Sequence, residues 1–211
     1  MLSTNKLWES NNEKEWLAVL NKYWDFVKPT HLEVEKEFDS FHSDKVKNMN
    51  PKQWYEFLYK KYFFWKYTAP NRYKTTTTQL KRYLGPDDCL DNLFKIKEEI
   101  FNFNKEDVST GLKTAYKIRG LGPPGASGLL AVLFPSYFAT VDQFAVKALL
   151  EVNSLPEKTV ISAMNPNQIK IKDGVILINI MKEKAKVLND KFQTSFWSPR
   201  KLDMVLWVSS R

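Results

Sequence analysis

An all-α fold is what this sequence predicts, on three observations. Apolar residues recur three and four positions apart over most of the 211 residues, the repeat that lays one helix face on a core. Helix-start signals recur as well: Asn50 before Pro51, Ser198 before Pro199, and Asp142 where an apolar stretch gives way to a new amphipathic one. Each sets a capping side chain just ahead of a helical pattern. The best strand candidate, Val175-Ile176-Leu177-Ile178, has no partner, so it is assigned to a helix despite its β propensity. No period of 20–50 residues repeats, which argues against a solenoid.

In chain order, Trp16, Leu17, Leu20, Tyr23, Trp24 and Val27 make the first amphipathic helix. Residues 31–43 read as a polar connection. Pro51 opens the next helix, with Trp54, Phe57, Leu58, Tyr62 and Trp65 on one face, and Ala69-Pro70-Asn71 ends it. The threonines 75–78 are expected to cap a helix over 79–84, and Gly85-Pro86-Asp87-Asp88 to turn the chain. Helices follow over 89–103, 105–117, 125–133, 142–152 and about 173–192, and Ser198-Pro199 opens the last.

Composition narrows the partners. There are 32 Lys and Arg against 24 Asp and Glu, a formal charge of +8, which favours an anionic partner such as nucleic acid. A lysine-rich proteome would give the same balance. Cys89 is the only cysteine; it rules out an internal disulfide and points to a reducing compartment. No apolar run approaches the roughly 20 residues of a membrane span, and the charged first 24 residues do not resemble a secretory signal. The expected setting is the cytoplasm, nucleoid-associated, or the nucleus.

The most telling motif is Gly120-Leu121-Gly122, ahead of Pro123-Pro124-Gly125-Ala126-Ser127. Two glycines around one apolar residue allow a sharp reversal with φ > 0. Exposed amides of such a turn, beside a helix N-terminus, cradle phosphate. Lys113, Lys117 and Arg119 surround it, either aimed at a phosphate backbone or forming a solvated helix face. Beyond the next helix lies Thr140-Val141-Asp142.

Taken together, Ile118-Arg119-Gly120-Leu121-Gly122-Pro123, Ala126 and Thr140-Val141-Asp142 resemble the signature of the helix-hairpin-helix DNA glycosylases, the superfamily of endonuclease III and the 8-oxoguanine glycosylases. Residues 112–150 carry the resemblance. Pro199-Arg200-Lys201-Leu202-Asp203-Met204-Val205-Leu206-Trp207 resembles the last helix of archaeal 8-oxoguanine glycosylases. The resemblance implies a two-lobed all-α fold: a bundle over about 50–135 ending in the hairpin (112–133), and a second lobe from about 1–49 plus 136–211. It implies double-stranded DNA as partner, a monomer, and phosphate contacts through Gly120, Leu121 and Gly122. It also implies a monovalent cation, Na or K, on the carbonyls of Tyr116, Ile118 and Leu121. The four-cysteine iron–sulfur cluster of some relatives cannot be built from one cysteine.

Asp142 is the expected catalytic residue, because N-glycosidic cleavage builds positive charge on the sugar and a fixed carboxylate opposes it. It can also activate water; an aspartate that only caps a helix is the competing reading. Where bifunctional members carry a Schiff-base lysine, this chain has Pro124, so the resemblance implies monofunctional hydrolysis of a damaged or modified base. Lys147 is expected on phosphate. Trp65, Lys66, Asn71 and Arg72, in a stretch of interleaved aromatics and cations, are candidates for the pocket of a flipped base. Most neighbouring aromatics are expected in the core. A non-catalytic DNA binder and a helical protein-interaction scaffold are the rival functions. His31 and His42 are isolated, which argues against zinc, and neither a P-loop nor a dinucleotide fingerprint is present.

Overall fold

A computed structural model describes residues 2–85 and 89–211. The turn expected at Pro86-Asp87-Asp88 lies outside the described residues. Those described form helices and connections without a strand.

Two helices open the chain, α1 (Thr4–Trp8) and α2 (Glu13–Phe26), the second capped by Asn12 and burying Trp16, Val19 and Leu20. The expected polar connection is instead largely helical, as α3 (Leu32–Asp39) and the short α4 (Asp44–Lys47). Its inward face holds Phe38 and, unusually, Glu35, and a buried carboxylate on that face disguises the amphipathic pattern.

Asn50 and Gln53 form a reciprocal capping box at α5 (Pro51–Phe57), the start expected from Asn50-Pro51. The helix continues through a π-helical stretch at Leu58–Tyr62 into α6 (Phe63–Lys66). Pro70 ends that run and opens α7 (Pro70–Lys81), so the threonines do not cap a later helix. They lie inside α7, where Thr75, Thr76, Thr77 and Thr78 hydrogen-bond the carbonyls four residues back, at 2.6–2.9 Å. The helix expected over 79–84 is only its end and a 3₁₀ turn at Arg82–Leu84.

α8 (Leu90–Asn102), α9 (Val108–Tyr116) and α10 (Pro123–Leu133) follow, then α11 (Gln143–Leu150) and a short α12 (Lys158–Ser162). α13 (Ile171–Phe192) absorbs the strand-like Val175–Ile178 segment, and Ser198 caps α14 (Pro199–Ser209).

One continuous apolar core joins these helices. α14 packs against α2, α11 and α13, while α5 lies on α8 and α9 on α8 and α10. α13 bridges the two groups by crossing α9 and α10. Chain ends thus meet in space, and the 134–142 segment passes between the groups. Among the described residues, no helix is long and apolar enough to cross a membrane.

Candidate nucleic-acid interface and active site

The expected hairpin forms between α9 and α10. Gly120 takes φ 91°, and a Cβ there would fall on the Thr76 carbonyl oxygen. Gly122 does not need glycine's freedom, since its φ is −81° and it serves as the extended N-cap of α10. Three tyrosines from neighbouring elements hold the turn. Tyr67 donates to the Gly120 carbonyl (3.0 Å), Tyr62 donates to the Gly125 carbonyl, and Tyr83 accepts from the Arg119 amide (3.2 Å). Leu121 is buried and its amide closes onto the Ile118 carbonyl at 3.0 Å. That bond leaves the Ile118 oxygen one of its two lone pairs. Gly120 and Gly122 are half-buried residues, and among the described residues their amides make no hydrogen bond.

The cations expected around the turn differ in their surroundings. Lys113 and Lys147 are exposed, Lys147 with its ammonium 6.0 Å from the Phe144 ring centre. Lys117 is engaged by Glu99 in an exposed ion pair, weak enough to exchange for a phosphate. Arg72 is exposed at the start of α7, and its charge opposes the burial that raises the Tyr67 phenol's pKa. Asn71 is exposed and bonds the Arg72 amide through its own side chain (2.8 Å).

Asp142 is the N-cap of α11, as expected: its Oδ1 accepts from the amides of Phe144 (2.8 Å) and Ala145 (3.3 Å). Among the described residues, Oδ2 accepts no hydrogen bond. The residue is half-buried and lines an open hollow of about 330 Å³, within the usual size range of small-molecule sites, about 300–1,000 Å³. The hairpin is tied to this acid by Ser127 on α10, whose hydroxyl donates to the Pro124 carbonyl (3.1 Å) and accepts from the Val141 amide (3.0 Å).

Of the four base-pocket candidates, the structure brings Trp65 and Lys66 into the hollow and leaves Asn71 and Arg72 outside its wall. Lys66 crosses α10 at Gly128, where a Cβ would stand 3.2 Å from its Cδ. Burial lowers the Lys66 pKa, although Asp142 and Asp203 favour its charged form.

The remaining wall comes from residues that sequence reasoning placed outside the site. Glu35 from α3 is buried beneath it and pairs with Arg200 of α14 (2.9 Å), while Trp65 Nε1 donates to its other oxygen. The Arg200 guanidinium lies 5.3 Å from the Trp65 ring centre. Burial opposes its charge, but Glu35, Tyr23 and Asp203 outweigh that and raise its pKa. Asp203, 9 % exposed, faces the same hollow. Its pKa is raised to about 7, first by burial and then by Asp142, against the opposing pull of Arg200 and Lys66. Tyr23, Phe144 and Trp207 complete an aromatic side, with Arg211 stacked 3.9 Å above the Trp207 ring. A buried charge on a helix has the sequence signature of a solvated face, so Glu35 and Asp203 gave no signal of their own.

Two other hollows are larger. One, about 430 Å³, has Glu37 and Glu56 on its rim already paired with Lys61 and Lys60. The other, about 490 Å³ beside Trp8 and Ile180, is mostly apolar, and its Lys184 bonds the Trp8 carbonyl. Neither joins an acid with a free oxygen to the hairpin. Among the described residues, no group of three or more His, Cys, Asp or Glu could hold a metal ion. Comparisons with protein-family models, with curated proteins and with solved structures find no match for this chain.

Proposed function

We propose that this protein is a DNA glycosylase of the helix-hairpin-helix kind, releasing a damaged or modified base by hydrolysis. One observation carries the reading: a capping aspartate with one carboxylate oxygen free, set in a base-sized hollow and braced through Ser127 to a glycine turn with free amides. The amides of Gly120 and Gly122 would grip a phosphate, with Lys113, Lys117, Arg119, Arg72 and Lys147 adding charge along the strand and no sequence information. A monovalent cation on the hairpin carbonyls would add to that grip. A nucleotide flipped out of the duplex would enter between Trp65 and Trp207. There Oδ2 of Asp142 would face the sugar, oppose the charge that grows as the glycosidic bond lengthens, and orient the attacking water. Pro124 offers no amine at the hairpin, so the strand would remain uncut.

Asp142→Asn tests the reading cleanly, because asparagine caps a helix as well as aspartate does but carries no charge. In duplexes bearing single lesions, followed by alkali, base release should fall by at least about 100-fold, with duplex affinity unchanged. No strand scission by the wild type across a broad lesion panel would leave a non-catalytic DNA binder, the reading that Pro124 favours. Binding independent of salt, or none, would leave a protein-interaction scaffold.

A further inference from the structure

A glycosylase must do two things to the bond it breaks: stabilise the sugar cation and neutralise the departing base. Asp142 addresses only the first. The hollow contains a second carboxyl, on α14, facing the same space from a different element. We propose that Asp203 is the general acid of this site, delivering a proton to the departing base. The assignment rests on the glycosylase reading above and extends it.

The geometry separates the two acids by environment. Asp142 sits half-buried at a helix N-terminus, its Oδ1 held by two amides. Asp203 is instead buried in the body of α14. The groups facing it are Asp142 from α11, Arg200 from its own helix and Lys66 from α6, with the Thr140 hydroxyl from the preceding segment. Glu35 of α3 and Tyr23 of α2 occupy the same wall. Glu35 already neutralises Arg200 through the buried ion pair, which leaves Arg200 less able to hold Asp203 ionised. Burial and the Asp142 charge keep Asp203 protonated up to about pH 7. One hollow thus holds a carboxyl capped by amides and a carboxyl buried in a helix, and two carboxyls in unlike surroundings can divide the base and acid roles between them.

The step balances. The C1′–N bond breaks and its electron pair goes to the base, which takes the Asp203 proton as it leaves. Water adds to C1′ and gives its proton to the Asp142 carboxylate. Asp142 then releases that proton to solvent, and Asp203 regains one. The sum is nucleotide plus water giving an abasic sugar and a free base.

The test is single-turnover base release from lesion-bearing duplexes between pH 5.5 and 8.5, comparing wild type, Asp203→Asn and Asp142→Asn. Wild-type release should hold a plateau at low pH and fall about tenfold per unit above about pH 7, as the acid is lost. Asp203→Asn should be slower by about 100-fold at pH 6 and show no such fall, while duplex affinity stays intact and the urea midpoint does not drop below that of wild type. A merely structural role would lower the rate without flattening the profile. An Asp203→Asn variant within about threefold of wild type at pH 6, or one that keeps the alkaline fall, overturns the assignment while leaving Asp142 in place. Absence of base release by the wild type at every pH overturns the glycosylase reading and this assignment with it.

Discussion

Replacing Glu35 by alanine would leave the Arg200 guanidinium charged, buried and without its carboxylate. Its side chain is 4 % exposed and that of Glu35 7 %, so the stranded guanidinium would be hydrated only from the hollow that it lines. Stranding one member of a buried pair costs about 3–5 kcal/mol. The Trp65 indole N–H, which also bonds Glu35, adds about 1–3 kcal/mol if it is left unsatisfied. Glu35→Ala should therefore lose at least about 3 kcal/mol, and Arg200→Met a similar amount by stranding the carboxylate. Removing both charges together removes the burial penalty too. Glu35→Ala/Arg200→Met should thus be much less destabilised than the two losses added, a coupling of up to about 3 kcal/mol. Urea unfolding of the four proteins at pH 7, with slopes compared to check that unfolding stays two-state, measures it. Strictly additive losses would refute the idea that this ion pair organises the wall of the hollow.

Other perturbations follow from single contacts. Gly120→Ala meets both a positive φ and the Thr76 carbonyl, so urea unfolding should show a loss of more than about 1–2 kcal/mol. Gly122→Ala meets only Pro124 Cδ at 3.8 Å; its stability should stay within about 0.5 kcal/mol, while filter binding shows weaker affinity for every duplex alike. Borohydride added during turnover should trap no protein–DNA crosslink. A crosslink lost in Lys66→Gln would make Lys66 the nucleophile and refute hydrolysis. Asp203 has a folded pKa of about 7, above its ordinary 3.8, so its ionisation works against folding as pH rises between those values. Asp203→Asn should therefore unfold at higher urea than wild type at pH 8, and show that advantage shrinking towards pH 4. An advantage that does not change with pH would show that Asp203 is not buried as a neutral acid.

The parts of this molecule that could be read from sequence are those set by neighbours in the chain. Asn50-Pro51, Asp142 and Ser198-Pro199 mark helix starts because a cap needs only the next three residues, and all three stand where expected. Gly120 was legible for the same reason, its bend being local. The threonines 75–78 misled because a hydroxyl that caps a helix can equally bond the carbonyl one turn back. That Glu35 and Asp203 are buried at the hollow was hidden for a deeper reason. What buries them lies on α6, α11 and α14, more than a hundred residues away for the Glu35–Arg200 pair. Such charges look like solvated residues until the packing is known. Trp65 and Lys66 stood out through composition and line the hollow, whereas Asn71 and Arg72, close by in the same stretch, fall outside it because Pro70 starts a new helix.

The π-helical stretch between α5 and α6 has a bearing on everything past it. Each of its turns takes up one residue more than an α-helical turn, and one residue is about 100° of rotation about the axis. Tyr62, which holds the hairpin, and Trp65 and Lys66, which line the hollow, all come at or just after that widened turn. Shortening the stretch by a single residue would swing the indole and the amine out of register with Asp142 while leaving the helix itself continuous. Spacing along this one rod thus sets the alignment between the part that grips a strand and the part that would receive its base.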